Sequence, residues 1–172
     1  MAITNVFKRV NDNQINCDES VEVTLGFTAA PDISSNPADI VLILDRSGSL
    51  TGNPLAALKE GAKTFIDVIY GNTGRTNGQI VGGTRIGIVS FSDNATTDAP
   101  LSTDIAMLKS EVDSLVANGR TNQEAGFIAA NNLFDFSLIK DKIIVLFTDG
   151  VWNEGNDPIG VATDLKAAPK NT

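Results

Sequence analysis

Histidine is absent from all 172 residues. Without it there is no Ser-His-Asp relay, and the commonest zinc ligand is missing. Cysteine is almost absent too. Cys17 stands alone, so it closes no disulfide within the chain; it reads as a structural thiol or, more sharply, as half of an intermolecular bridge. No apolar run approaches the ~18 residues of a membrane-spanning helix, which argues against direct membrane insertion. The first eight residues lack the basic stretch and following apolar stretch of a signal peptide, so the compartment is left open. Positive charge is scarce: 13 Lys and Arg stand against 21 Asp and Glu, a formal charge of -8. That balance repels phosphate backbones, arguing against nucleic-acid partners, and it favours cations. The glycine-rich segment from Gly71 to Thr76 lacks the spacing and terminal Lys-Ser/Thr of a phosphate loop.

What is present is an apolar fraction of 42%, enough for one domain with a substantial core. Residues 1–19 are polar and read as irregular, with a turn-prone Asn11-Asp12-Asn13 cluster. Val21, Val23, Leu25 and Phe27 alternate, as in a half-buried strand, and Ala30 to Pro37 has linker composition. Ile40 to Leu44 is an unbroken apolar run, the pattern of a strand covered on both faces. Asn53-Pro54 supplies a helix cap and first-turn proline, and Leu55, Leu58, Ala62, Phe65, Ile66 and Ile69 carry helical spacing to about Tyr70. Gly71 to Gly83 reads as a long mobile loop. Strands follow over 84–92 and 95–101, joined by a turn at Ser92-Asp93-Asn94 as an antiparallel edge hairpin; Asp93 and Asn94 are taken as turn residues rather than as the rim of a site. Thr103-Asp104 opens a helix with Ile105, Leu108, Val112 and Leu115 inside, and another helix runs roughly from Gln123 to Leu133. Lys142 to Phe147 repeats the buried-strand design, and Asp157-Pro158 caps a last helix with Ile159, Ala162 and Leu165. Strands alternating with helices predict an α/β fold: a mainly parallel sheet with one antiparallel edge strand and helices on both faces, preceded by an N-terminal β segment.

Two of the apolar runs end in acids. Asp45, with Ser47 and Ser49 on the following loop, leaves the first; Asp149, in Thr148-Asp149-Gly150, leaves the last. Ligands of open α/β sheets bind at that edge. If the two strands are parallel neighbours, about 4.8 Å apart, the loops meet there. Carboxylates and hydroxyls are all-oxygen donors, which suits a hard ion such as Mg²⁺ rather than zinc or copper. Each element also has a plainer reading. The serines could cap the following turns, and Asp149 could be a turn aspartate before glycine. Trp152, close behind, reads equally as a packed side chain or as an exposed recognition anchor.

Asp45-Arg46-Ser47-Gly48-Ser49 resembles the Asp-x-Ser-x-Ser motif of von Willebrand factor A (vWA) domains, where it forms most of a metal-ion-dependent adhesion site (MIDAS). Thr121, after Gly119-Arg120, is similar to the family's threonine loop, with Arg120 a departure from the usual glycine. Asp149 is similar to its acid after the fourth strand. The resemblance covers roughly residues 38–168. It implies a Rossmann-like vWA fold at 38–172, after a β segment and linker at 1–37 that resembles part of a flanking β-sandwich of bacterial surface proteins. It implies that Ser47, Ser49 and, in the binding-competent state, Thr121 ligate Mg²⁺ (or Mn²⁺ or Ca²⁺) directly. Asp45 and Asp149 would then act mostly through metal-bound water. Neutral first ligands leave the ion seeking an Asp or Glu carboxylate from a partner protein, so the expected function is adhesion or protein binding without catalysis, at a cell surface. The family also has two further strands where this chain ends. That predicts a C-terminally truncated domain with an open sheet edge beside the Asp149 strand, to be covered by the Val21–Phe27 strand or by homo-oligomerisation. A scaffold subunit with a structural metal and a metal-dependent hydrolase are the alternative readings.

Overall fold

The computed structural model describes residues 2–10, 23–30, 37–73 and 75–167. Three apolar runs become neighbouring parallel strands. β3 (Ala38–Asp45) lies between β6 (Arg85–Phe91) and β8 (Asp141–Phe147). β7 (Ala95–Ser102) returns antiparallel to β6, so the sheet order is β7-β6-β3-β8. This is the mainly parallel sheet with one antiparallel edge strand that the alternation of elements predicts.

Side chains on a strand alternate between faces, and β3 sends each set into a different core. Ile40, Leu42 and Leu44 join Ile86 and Ile88 under α1 (Asn53–Asn72) and α2 (Ile105–Ser114), meeting Ala62, Ile66, Leu108 and Val112. Val41 and Ile43 join Val89 and Phe91 on the opposite face, against Ala130 of α3 (Gln123–Asn132) and Phe134. β8 follows the same rule: Ile143, Val145 and Phe147 face the first cluster, Ile144 and Leu146 the second. α4 (Pro158–Ala167) packs on α3. Helices on both faces explain why Ile40 to Leu44 and Ile143 to Phe147 are apolar at every position.

Where α3 crosses the sheet, Gly126 makes room. A Cβ there would lie 2.8 Å from Ile43 Cγ2 and 3.1 Å from Phe91 Cδ1, both in fully buried side chains. Overpacking of this kind costs about 1–3 kcal/mol. Gly126→Ala is therefore expected to lower the free energy of unfolding by that much, seen as a lower urea midpoint with no change in the slope of the transition.

Several local expectations are corrected. The opening residues, read as irregular, contain β1 (Ala2–Val10), which pairs antiparallel with β2 (Val23–Ala30). Polar Thr4, Asn5, Lys8 and Arg9 interrupt the alternation that would have marked β1. Among the described residues β8 pairs with β3 alone. The chain divides into two compact units, residues 1–35 and 36–172. Cys17 and the Asn11-Asp12-Asn13 cluster lie outside the described residues. The loop after α1 contains a small hairpin, β4 (Arg75–Thr76) and β5 (Gln79–Ile80). Its turn is Asn77-Gly78, both at positive φ, a strong two-residue hairpin signal; Ile80 is buried in the core. Asn53 does not cap α1. Gly52, at φ 89°, turns the chain one residue earlier and places Asn53 inside the helix. Asp104 caps α2 as expected, accepting bonds from the backbone N–H of Ala106 and Met107.

Candidate metal centre

The parallel register that pairs Leu44 with Phe147 brings the next residues of both strands to one sheet edge. There Thr148 Oγ1 donates to Asp45 Oδ2 at 2.6 Å, and the Ser47 N–H donates to Asp45 Oδ1 at 2.8 Å. Asp45 is 0% exposed, and both its oxygens are engaged. It lies behind a cleft of about 240 Å³ whose lining includes Ser47, Ser49, Thr121 and Asp149. The Ser47 and Ser49 hydroxyl oxygens are 3.1 Å apart, and Ser49 Oγ donates to Asp149 Oδ1 at 3.5 Å. All five residues singled out in the sequence meet here, with four on the cleft wall and Asp45 buttressing them.

Thr121 comes from a loop that is tied down on three sides. Gly48 N–H donates to the Gly119 carbonyl at 2.9 Å and Asn118 N–H to that of Arg46 at 2.8 Å. Arg46 returns a guanidinium bond to Asn118 Oδ1 at 2.6 Å. The Asp93 carboxylate accepts the Arg120 N–H at 3.2 Å, and the Asp93 carbonyl accepts Asn122 Nδ2 at 3.1 Å. Asp93 is therefore a turn residue that also anchors the threonine loop, a role the turn reading alone did not include. On the third side Asn153 grips Thr121 twice: its Oδ1 accepts the Thr121 N–H at 2.9 Å, and its own N–H donates to the Thr121 carbonyl at 3.1 Å. Buried Gln123 donates to the Gly150 carbonyl at 3.0 Å. At the rim, a hydrogen bond and the charge of Glu154 hold the Arg120 guanidinium pKa up, and hydrogen bonds from Asn156 hold the Glu124 carboxyl down.

The donor set can be tested against an ion without placing one. Among the described residues no three acidic, histidine or cysteine side chains cluster, so a cation here depends on hydroxyls backed by two carboxylates. Adjacent ligands of an octahedral ion with ~2.1 Å bonds lie about 3 Å apart. The Ser47–Ser49 spacing of 3.1 Å meets that requirement. Sequence reading assigned no role to Thr148 and Asn153, which hold Asp45 and Thr121 without lining up in any motif; the hydroxyl directly before Asp149 was the only available hint. Thr148→Val strips Asp45 Oδ2 of its donor while keeping shape. The expected result is a roughly tenfold weaker divalent-metal affinity by calorimetry, with the fold intact by circular dichroism.

A family model of the von Willebrand factor type A domain matches residues 39–170. The chain belongs to this family. The minor fimbrium subunit Mfa5 of Porphyromonas gingivalis is 27% identical over 121 residues, covering 69% of this chain and 9% of that protein. A structure of proximal thread matrix protein 1 from the mussel byssus, with a zinc-occupied MIDAS motif, matches this vWA domain with TM-score 0.61 and 28% identity, over 77% of this chain and 36% of that one. A von Willebrand factor type A structure from Catenulispora acidiphila matches with TM-score 0.61 and 26% identity, over 86% and 33%. The chain spans well under half the length of each of these relatives. In the byssal protein the MIDAS motif holds zinc, a metal the all-oxygen reading sets aside for this chain.

Proposed function

We propose that this vWA domain is a divalent-metal-dependent protein-binding module whose cation is held by Ser47, Ser49 and Thr121, with Asp45 and Asp149 supporting it through bound water. The observation that carries the reading is the convergence of those side chains on one cleft, with Asp45 buried behind and locked by Ser47 and Thr148. When bound, the cation supplies a positive centre with an unfilled preference for anionic oxygen, since hydroxyl ligands neutralise none of its charge. A partner's Asp or Glu carboxylate meets that preference. The protein's share is to present the hydroxyls and to hold the loops rigid, so the chemistry asked of the site is recognition rather than turnover. Similarity to a fimbrial subunit supports a place at a bacterial surface, in adhesion or in assembly with other subunits. Among the described residues no helix is long and apolar enough to cross a membrane.

Titration calorimetry with Mg²⁺ and Mn²⁺ tests this on the parent chain and on Ser47→Ala. The expected result is saturable one-site binding that weakens at least tenfold, about 1.4 kcal/mol or more, in the variant. Equal binding by both chains would remove Ser47 from the ligand set and the adhesion reading with it.

A further inference from the structure

The loop that follows Asp149 carries two apolar side chains out into solvent. Val151 lines the metal cleft yet is 82% exposed, and Trp152 beside it is 37% exposed. Isolated exposed apolar residues need no explanation, but this pair is held in place. Before it, the Gly150 carbonyl is fixed by Gln123; after it, Asn153 is fixed at both its N–H and its Oδ1 by the Thr121 backbone. Glu154, next along, pairs with Arg120 at 2.7 Å. The backbone on either side of Val151 and Trp152 is thus anchored. An apolar pair between anchored flanks, surrounded by polar groups, is the pattern of an interface anchor.

Resting on the proposed function, we infer that Val151 and Trp152 read the residue next to the partner's acid, and that this residue is apolar. Asp149 and Val151 are two positions apart, a reach of at most about 7 Å along the chain. A partner strand rising ~3.3 Å per residue places a side chain one or two positions beyond its carboxylate over Val151. Charge supports an apolar neighbour over a second acid. Arg120, the cation next to Thr121, is already paired with Glu154, and the chain as a whole carries -8. A doubly acidic segment would meet repulsion away from the metal. An acid–apolar pair would satisfy the cation and cover Val151 together.

Trp152 is the only tryptophan in the chain, so its emission reports on this surface directly. The test uses the whole chain at saturating Mg²⁺ and three short capped peptides, centred on aspartate–leucine, aspartate–serine and asparagine–leucine. Aspartate–leucine is expected to bind about tenfold more tightly than aspartate–serine and to shift Trp152 emission to the blue. Val151→Ser, its folding checked by thermal melt, is expected to bring the two affinities together. Equal affinities in the parent chain would overturn the apolar reading while leaving the carboxylate reading in place. Asparagine–leucine binding as tightly as aspartate–leucine would overturn the carboxylate reading, and this inference with it. Failure of both aspartate peptides to bind up to about 1 mM would overturn the inference as well.

Discussion

Asp39→Ala lowers the free energy of unfolding by about 3–5 kcal/mol, the expected cost of stripping one partner from a buried ion cluster. Asp39 is 0% exposed. Arg85 binds its carboxylate with two donors at 2.8 and 2.7 Å, and Lys142 donates at 3.3 Å. Lys140 lies 3.7 Å away. Arg85 and Lys142 are the cross-strand neighbours of Asp39 on β6 and β8. One carboxylate therefore clamps all three parallel strands at the end opposite the proposed metal centre. Register is the quantity at stake, because a one-residue slip reverses every side chain on a strand and separates Asp45 from Thr148. Burial pushes the Asp39 carboxyl up, but the bonds from Arg85 and Lys142 and the charges of Arg85 and Lys140 outweigh it, and its pKa lies below the ordinary value. An acid whose pKa is depressed on folding stabilises the native state above the ordinary carboxyl pKa, near pH 4. That contribution is lost as pH falls through the depressed native value. Urea unfolding of the parent and Asp39→Ala should thus differ fully at pH 7, and the gap should narrow below about pH 4. A gap that stays constant to pH 3 would remove the carboxylate's charge from the explanation.

Gly119→Val is expected to separate the loops of the proposed metal centre. Gly119 sits at φ +73°, and a Cβ there would run into the Asp93 carboxylate and lie 3.2 Å from Ser92 Cβ. The left-handed backbone costs a β-branched residue about 1–2 kcal/mol, and the collision adds about 1–3 kcal/mol. The Gly119 carbonyl also accepts the Gly48 N–H, so displacement moves the serine loop and the threonine loop together. The expected outcome is a loss of about 2–5 kcal/mol in stability and at least a tenfold loss of Mn²⁺ affinity. Asp93→Ala in the same background relieves the collision and should recover part of the stability. If Gly119→Val bound Mn²⁺ as the parent does, the rigid placement of Thr121 would be irrelevant to the site.

Much of this architecture is legible in the sequence because burial on two faces leaves an unmistakable mark. Ile40 to Leu44 and Ile143 to Phe147 have no polar residue, and both runs end in acids at one sheet edge. Contacts between distant residues leave no such mark. Thr148 reaches Asp45 across 103 positions and Asn153 reaches Thr121 across 32, and nothing local in the chain announces either. Asp39 stands at the head of an apolar run and passes for a strand-edge acid until Arg85 and Lys142 are seen on both sides. β1 is strand by virtue of pairing with β2, against an uneven apolar pattern. The Asn77-Gly78 turn was the reverse case, a clear local signal hidden by a loop of similar composition.

The central claim is that the hydroxyls of Ser47 and Ser49 hold a divalent cation in the cleft in front of Asp45. Anomalous diffraction from crystals of this chain grown with Mn²⁺ addresses it directly. The account predicts one strong peak within about 2–2.5 Å of Ser47 Oγ and Ser49 Oγ, absent in Ser47→Ala crystals. Manganese bound only at exposed surface carboxylates, with the cleft free of anomalous signal, would contradict it.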